Sequence, residues 1–415
     1  MTKMAGTRRT SLRVLWAALF KKVRMEWRRV LLLFLLMLLV MNISGCWSRR
    51  ELNTLAIVLG TALDAGPAPD TLTLTAQVVK AGELKSGSSS SPGSSTPAKA
   101  YADIQGTDKS VLSLLRGLTH KLSRRLYFSH NQVLIFSSEL AQKDIAEGLD
   151  GFMRDYETRL NVYILISKGR AADILEEDSE IEKLPAVHIA NTMKNQSANS
   201  ETVVVTLRDF AIAMLSGSTA PVAPMIDLFD VNGRKKIIIE GTAVFKQGKM
   251  IGELNKDQTR GLMWATNKAQ SGVTTVDTQW GQVILEITNV QSGMKPVKTQ
   301  EGSIRMSLDI NIDGFIESNE TEEDMSKLEN VQMLKGKMTD FIHADVQNAL
   351  DQARSLRADV LGFGDKIRSS YPELWEKMKD NWEEVFPTIE VDVTVEAELR
   401  STGGLTKPLV PGGSK

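Results

Sequence analysis

Hydrophobic positions in the first half of the chain follow two different periods, one typical of strands and one of helices. The run Leu55–Leu63 is almost wholly apolar and predicts a buried strand, and the alternation over 71–78 predicts a half-buried neighbour. Apolar residues at helical spacing follow over 111–122, and short strands are predicted at 132–136 and 160–166. Helix and strand therefore alternate to about residue 175.

The second half predicts a β-hairpin followed by more strands and helices. Ile237–Phe245 and Met250–Leu254 flank the turn residues Gln247-Gly248, and Asn255 can cap a helix that runs to about residue 268. The remaining predicted elements are strands at 282–290 and 303–317, a long helix near residues 325–361, a shorter helix over 374–382 and a last strand over 389–395. Strands with helices packed across them indicate an α+β fold with mixed sheets and two to three domains.

Composition and charge exclude several classes of protein. The chain has 415 residues, of which 42% are hydrophobic and 24% charged, which is typical of globular proteins and not of polytopic membrane proteins or disordered chains. Residues 1–45 carry nine Lys or Arg and one Glu, whereas the rest carries 41 basic and 50 acidic residues. This acidic body predicts no nucleic-acid partner, since binding to phosphates needs clustered cations.

The N-terminal segment predicts a signal peptide that ends before a lipidated cysteine. Val30–Met41 is a run of 12 apolar residues, about 18 Å of helix against a hydrocarbon core of roughly 30 Å, and is therefore too short to span. Ser44 and Gly45 precede Cys46, the one cysteine of the chain, as in a bacterial lipobox. Acyl chains on Cys46 would contribute about 0.8 kcal/mol per buried CH₂ group and anchor the protein to a bilayer.

Other interpretations of this segment stay open at this stage. Residues 1–45 could be an uncleaved signal anchor, or Cys46 a free cysteine in a short core helix. The basic leader is long, and Met25 could be the true start of a compact signal peptide.

Changes in composition predict the domain borders of the processed chain. We expect an N-terminal α+β domain over 46–215, a middle domain over 216–290 and a C-terminal α+β domain over 291–400. A Ser/Gly/Pro segment at 86–97 predicts a flexible loop within the first domain, and 401–415 a flexible tail.

Motifs that would carry catalysis or bind a cofactor are missing from the sequence. One cysteine cannot supply a Cys₄ or Cys₂His₂ zinc site, and no G-x-S-x-G, Walker or G-x-G-x-x-G motif is present. Gly362-Phe363-Gly364 follows a predicted helix, the wrong context for a dinucleotide. The sequence predicts no enzyme, no catalytic residue, no cofactor and no metal, although spacing alone leaves open a carboxylate pair of the glycosidase type.

Three features need a choice between a ligand site and ordinary structure. Residues 309–320 satisfy the calcium-loop pattern D-x-[DN]-x-[DN]-G-x₅-E, but apolar residues alternate from Ile304 to Ile312, which favours a strand with Asp309, Asn311 and Asp313 on its solvent face. His130 could be a pH-sensitive or ligand group, and a packed or capping histidine is the simpler interpretation. Trp375 and Trp382 fall seven residues apart on one helical face, which favours core packing over a ligand platform.

The chain resembles the Ger(x)C family, the lipoprotein C-subunits of spore germinant receptors. The residues that carry the resemblance are dispersed along the chain and in order: Gly45-Cys46-Trp47-Ser48, Leu55–Gly60, Ser129–Phe136, Phe152–Asp155, Gly241–Lys246, Thr259–Leu262 and Asp359–Gly364. Ser48 stands where the family usually has Asp.

The resemblance implies a three-domain α+β lipoprotein on the outer face of the spore inner membrane. Such a subunit acts with an A-type membrane subunit and a B-type, transporter-like subunit in nutrient-triggered germination, without catalysis. Only Cys46 transfers as a functional residue, the lipidation site. A lipid-anchored solute-binding protein of a transporter is the alternative, and its two α/β lobes of βαβ units fit the predicted elements less well.

Overall fold

The computed structural model describes residues 16, 21–22, 24–37, 54–85, 99–179, 181–196 and 200–401. Cys46, the loop at 86–97 and the tail from 402 onward lie outside the described residues. Residues 24–37 form a helix. None of the helices in the described part of the chain is long and apolar enough to cross a membrane.

A first, mixed sheet contains nine of the strands in the described residues. Their bounds are β1 Leu55–Ala65, β2 Leu72–Val79, β3 Tyr101–Asp108, β4 Arg125–Tyr127, β5 Val133–Ser137, β6 Tyr163–Ser167, β7 Val222–Val231, β8 Arg234–Lys246 and β9 Lys249–Leu254. The order is β3-β2-β1-β5-β6-β7-β8-β9, with β4 beside β1. Strands β1, β5, β6 and β7 are parallel neighbours, and antiparallel pairs complete both sides.

The second sheet contains four strands in the order β10-β11-β12-β13. Their bounds are β10 Gly272–Thr278, β11 Gly281–Lys298, β12 Ile304–Asn319 and β13 Glu390–Ser401. The first three strands pair antiparallel, while β13 runs parallel to β12 because helices connect the two.

Helices cover both faces of the first sheet and one face of the second. Their bounds are α1 Ala81–Lys85, α2 Val111–Thr119, α3 Ser138–Lys143, α4 Ala146–Arg154, α5 Ala171–Glu176, α6 Pro185–Asn195, α7 Leu207–Ser216, α8 Lys256–Ala265, α9 Leu328–Ser355, α10 Phe363–Ser370, α11 Pro372–Met378 and α12 Trp382–Val385. Helices α5 and α6 pack on one face of the first sheet, and α2, α4 and α7 on the other. The latter core continues through α8 and α9 into the second sheet.

The predicted α+β class with mixed sheets is confirmed, and the long helix is shorter than predicted. Apolar residues such as Val360 and Leu361 continue the helical pattern and are buried, but they lie in a bend between α9 and α10. Helix α9 ends at Ser355 because Arg357 takes a left-handed conformation, with φ of 49°. Strands β7 to β9 belong to the first sheet, and the predicted borders at 216 and 291 stay a prediction.

Candidate functional site at the junction of the two sheets

Helix α8 begins where the last strand of the first sheet ends. Asn255 follows Leu254 of β9 directly, and its side-chain oxygen accepts a hydrogen bond of 2.9 Å from the Gln258 backbone N–H. The Gln258 side chain in turn accepts from the Asn255 N–H at 2.9 Å, which completes a capping box. The cap fixes the start of α8 one residue after β9, and α8 therefore leaves the first sheet at a defined point.

Three consecutive residues of α8 connect the first sheet to the long helix α9. The hydroxyl groups of Thr259 and Thr242 on β8 lie 2.9 Å apart and are buried. Arg260 forms an ion pair with Asp345 of α9. Gly261 lies so close to the backbone of Asp345 that a Cβ atom there would overlap its carbonyl group. Helix α8 is therefore fixed on one side to β8 and on the other to α9.

The ion pair between Arg260 and Asp345 is buried and has two hydrogen bonds. Arg260 Nε donates to Asp345 Oδ2 at 2.6 Å and Nη2 donates to Oδ1 at 2.9 Å. Asp345 Oδ2 also accepts from the indole N–H of Trp264 at 3.2 Å. The guanidinium carbon lies 4.6 Å from the centre of the Phe341 ring. These hydrogen bonds provide partners for both carboxylate oxygens of Asp345 and for two of the three nitrogens of the guanidinium group. Without such partners, burying the two charges would cost free energy.

Burial disfavours the charge on Arg260, but its acidic neighbours outweigh that effect. The hydrogen bond and the attraction of Asp345, together with Asp257 and Glu201, raise the pKa of Arg260. Asp257 Oδ1 lies 2.9 Å from Nη2, and Glu201 Oε1 lies 3.8 Å from Nη1. The guanidinium ion thus connects α8 by charge to α9 and to the segment around Glu201.

A second buried carboxylate caps helix α10. Both oxygens of Asp359 accept from backbone N–H groups: Oδ1 from Gly362 at 2.8 Å and Phe363 at 3.0 Å, and Oδ2 from Gly364 at 2.8 Å. Burial raises the pKa of Asp359 to about 6, although these three hydrogen bonds lower it. Gly362 has φ of 81°, which a residue with a side chain would adopt only with strain.

Helix α10 also holds the segment that enters β7. Asp365 accepts hydrogen bonds from the hydroxyl groups of Ser218 at 2.7 Å and Thr219 at 2.6 Å, and the Ala220 N–H donates to the Asp359 carbonyl at 2.8 Å. The indole N–H of Trp382 donates to the Ser218 carbonyl at 3.1 Å. Residues 218–220 thus connect strand β7 of the first sheet with helices α10 and α12.

Two further motifs of the family resemblance, Ser129–Phe136 and Phe152–Asp155, each contact a residue next to the other motif. The rings of Phe128 and Phe152 are 6.4 Å apart and edge-on, and the hydroxyl of Ser129 donates to the Glu157 carbonyl at 3.0 Å. The carboxylate of Glu157 is buried and pairs with Arg125 at 3.0 Å. The buried side-chain oxygen of Asn131 has no hydrogen-bond partner among the described residues. These contacts order the turns that lead into β5 and out of α4.

The calcium-like segment, His130 and the two tryptophans lie in ordinary structural positions of the fold. Residues 309–319 lie in β12, as the alternation predicted, and Asp313 forms an ion pair of 2.7 Å with Arg400. His130 is exposed, with its ring 5.8 Å from that of Tyr127. Trp375 and Trp382 are buried with ring centres 5.1 Å apart, so the prediction of core packing is confirmed. Among the described residues, no group of three His, Cys, Asp or Glu side chains could hold a metal ion.

Sequence reasoning missed the buried ion pair, although a signal was present. Asp345 lies between Ile342 and Val346 on the apolar face of α9, and a charge in that position indicates a buried partner. The partner, Arg260, is 85 residues away in the chain, and only the fold brings the two together. The lipidation site predicted at Cys46 lies outside the described residues.

Comparison with known proteins places these motifs in one class of protein, that of spore germination. The profile "Spore germination protein N-terminal domain" matches residues 48–228, and "Spore germination B3/ GerAC like, C-terminal" matches residues 240–403. Spore germination protein KC of Bacillus subtilis (strain 168) is 27% identical over 404 residues, covering 92% of this chain and 98% of that protein. Spore germination protein YndF of the same organism is 28% identical over 392 residues, covering 88% and 95%.

A solved structure supports the same assignment at the level of the fold. The crystal structure of the GerBC protein aligns with a TM-score of 0.51 and 18% identity, covering 82% of this chain and 97% of that one. The two profiles together span most of the chain, in the order in which the motifs occur. The chain therefore belongs to the Ger(x)C family of spore germination proteins.

Proposed function

We propose that this protein is a lipid-anchored subunit of a spore germinant receptor and acts by protein–protein contacts with A-type and B-type membrane subunits. The observation that carries the proposal is the match of both family profiles, over residues 48–228 and 240–403. Spore germination proteins A3 and B3 of Bacillus subtilis (strain 168) match 90% and 89% of the chain. The proposal places the protein at the outer face of the spore inner membrane.

The chemistry of the described residues supports a role without catalysis. The buried carboxylate of Asp345 is used in an ion pair, and that of Asp359 in a helix cap. The sheets also differ from two lobes of βαβ units, since the parallel strands are concentrated in the first sheet and the second is mainly antiparallel. This arrangement favours a receptor subunit over a solute-binding protein.

Anchoring through Cys46 would raise the effective concentration of the folded part beside its partners. A tether that confines a protein to a layer along the membrane converts association into a nearly intramolecular step, worth a factor of about 10² to 10⁴ in avidity. Cys46 is the proposed lipidation site, and its acyl chains would insert into the bilayer.

The experiment that tests this proposal is Cys46→Ala in spores, with Ser48→Ala as the matched control outside the lipobox. We expect Cys46→Ala protein to fold normally, to leave the membrane fraction and to slow nutrient-triggered loss of spore optical density strongly. Ser48→Ala spores should behave as wild type. Full germination together with release of the Cys46→Ala protein from membranes would contradict the proposal.

A further inference from the structure

In the part of the chain that the structure describes, the last strand of the second sheet has a free edge. Strand β13 pairs with β12 from Glu390 to Ser401, and no other strand of the described residues pairs with it. Its 12 residues offer about 40 Å of edge, at about 3.3 Å per residue. A long edge with unpaired N–H and C=O groups can accept an additional strand.

The apolar face of β13 is only partly covered. Val391, Val393 and Val395 are half-buried, although helix α9 lies over this face. Their neighbours Met306 and Leu308 on β12 are fully buried. The difference arises because, among the strands of the described residues, β13 has a neighbour on one side only. A further strand with apolar residues on this face would complete the cover of the row.

Acidic residues predominate among the residues of β13 that alternate with this apolar row, beside Arg400, which pairs with Asp313. Asp392 pairs with Arg305 at 3.0 Å, and Glu398 with Lys335 at 2.6 Å. Glu390 and Glu396 are exposed and form no ion pair within the described residues. These two exposed acids would attract a strand with cationic side chains and repel a strand with acidic ones.

We propose that the free edge of β13 accepts, as an additional strand, an extended segment of a partner protein in which cationic and apolar side chains alternate. The apolar side chains would cover the row from Val391 to Val395, and the cations would face Glu390 and Glu396. The proposal deepens the proposed function and rests on it, since it assigns the surface on which another receptor subunit would bind.

The strand addition can be tested with a labelled synthetic peptide of four Val-Lys repeats and the full-length protein in detergent. We expect fluorescence anisotropy to show binding that weakens at least tenfold in the double variant Glu390→Lys/Glu396→Lys. Glu240→Lys, an exposed acid on β8 of the first sheet, should change affinity less than twofold. The same peptide with every backbone nitrogen methylated should bind at least tenfold more weakly, because it cannot pair as a strand.

Equal binding of the methylated peptide would reduce the effect to charge alone and overturn the proposal. Equal loss in the Glu240→Lys protein would do the same, and so would a dimer in sedimentation that the β13 variants abolish. In spores, Glu390→Lys/Glu396→Lys should slow germination at unchanged protein level. Wild-type germination of that variant, beside a defect in Cys46→Ala spores, would refute the docking edge and leave the proposed function standing.

Discussion

Removing the charge of Asp345 should destabilise the protein more than any comparable change on the surface of α9. In Asp345→Asn the guanidinium ion of Arg260 stays buried and loses its bidentate partner at 2.6 and 2.9 Å. Breaking a buried pair in this way typically costs about 3–5 kcal/mol. Asp257 at 2.9 Å and the Phe341 ring at 4.6 Å still stabilise the cation, which places the expected loss near the lower end, about 3 kcal/mol.

Urea unfolding followed by tryptophan fluorescence would measure this loss. With a slope of about 3 kcal/mol per molar urea, the midpoint should fall by about 1 M. Asp351→Asn is the matched control on the same helix, because the Asp351 side chain is 62% exposed and its ion pair with Arg354 is long, at 3.6 Å. We expect that control to change the free energy of unfolding by less than about 1 kcal/mol. Equal shifts for the two variants would refute the view that the buried pair holds α8 on α9.

Two other outcomes concern a close helix contact and a buried acid. Gly261→Ala should lower the free energy of unfolding by about 1–3 kcal/mol, because its methyl group would overlap the Asp345 carbonyl group. Gly336→Ala is the control: its methyl group would face open space in α9, and the substitution should raise the free energy of unfolding by up to about 1 kcal/mol. Urea unfolding midpoints would measure both changes, and an unchanged midpoint for Gly261→Ala would contradict the close contact. Burial raises the pKa of Asp103 to about 6, while the hydrogen bond from Gln77 lowers this pKa and the charge of Glu176 raises it. The folded protein therefore holds the proton more tightly than the unfolded chain does, and the stability that this provides is complete below pH 3.8 and is lost as the pH rises through 6. Thermal midpoints between pH 4 and 7 should therefore depend less on pH in Asp103→Asn, and the same slope in variant and wild type would count against that burial.

Sequence patterns predicted helices and strands well where the hydrophobic period and the turn or capping residues lie within a few positions of each other. The hairpin of β8 and β9 and the cap at Asn255 could be read from adjacent residues, because turn and capping chemistry act within a few positions. The end of α9 could not be predicted in this way, because Val360 and Leu361 are apolar for a different reason, their burial in the bend after the helix. Periodicity indicates burial first and secondary structure second.

The junction of the sheets could be predicted only in part for a related reason. Thr259-Arg260-Gly261 and Asp359–Gly364 stood out through the family resemblance, but nothing in their spacing indicates that both lie against the same half of the fold. The contacts join residues about 85 and 147 positions apart, Arg260 to Asp345 and Ser218 to Asp365. Such pairings depend on which strands and helices become neighbours, and that is a property of the whole chain.

The boundary between the two family profiles falls inside a single β-hairpin. The first profile ends at residue 228 within β7 and the second begins at 240 within β8, yet β7 and β8 form a continuous ladder. Recombining the N-terminal half of one family member with the C-terminal half of another would therefore put mismatched strands side by side. We expect such chimeras to fold poorly, so that the two halves must change together during evolution.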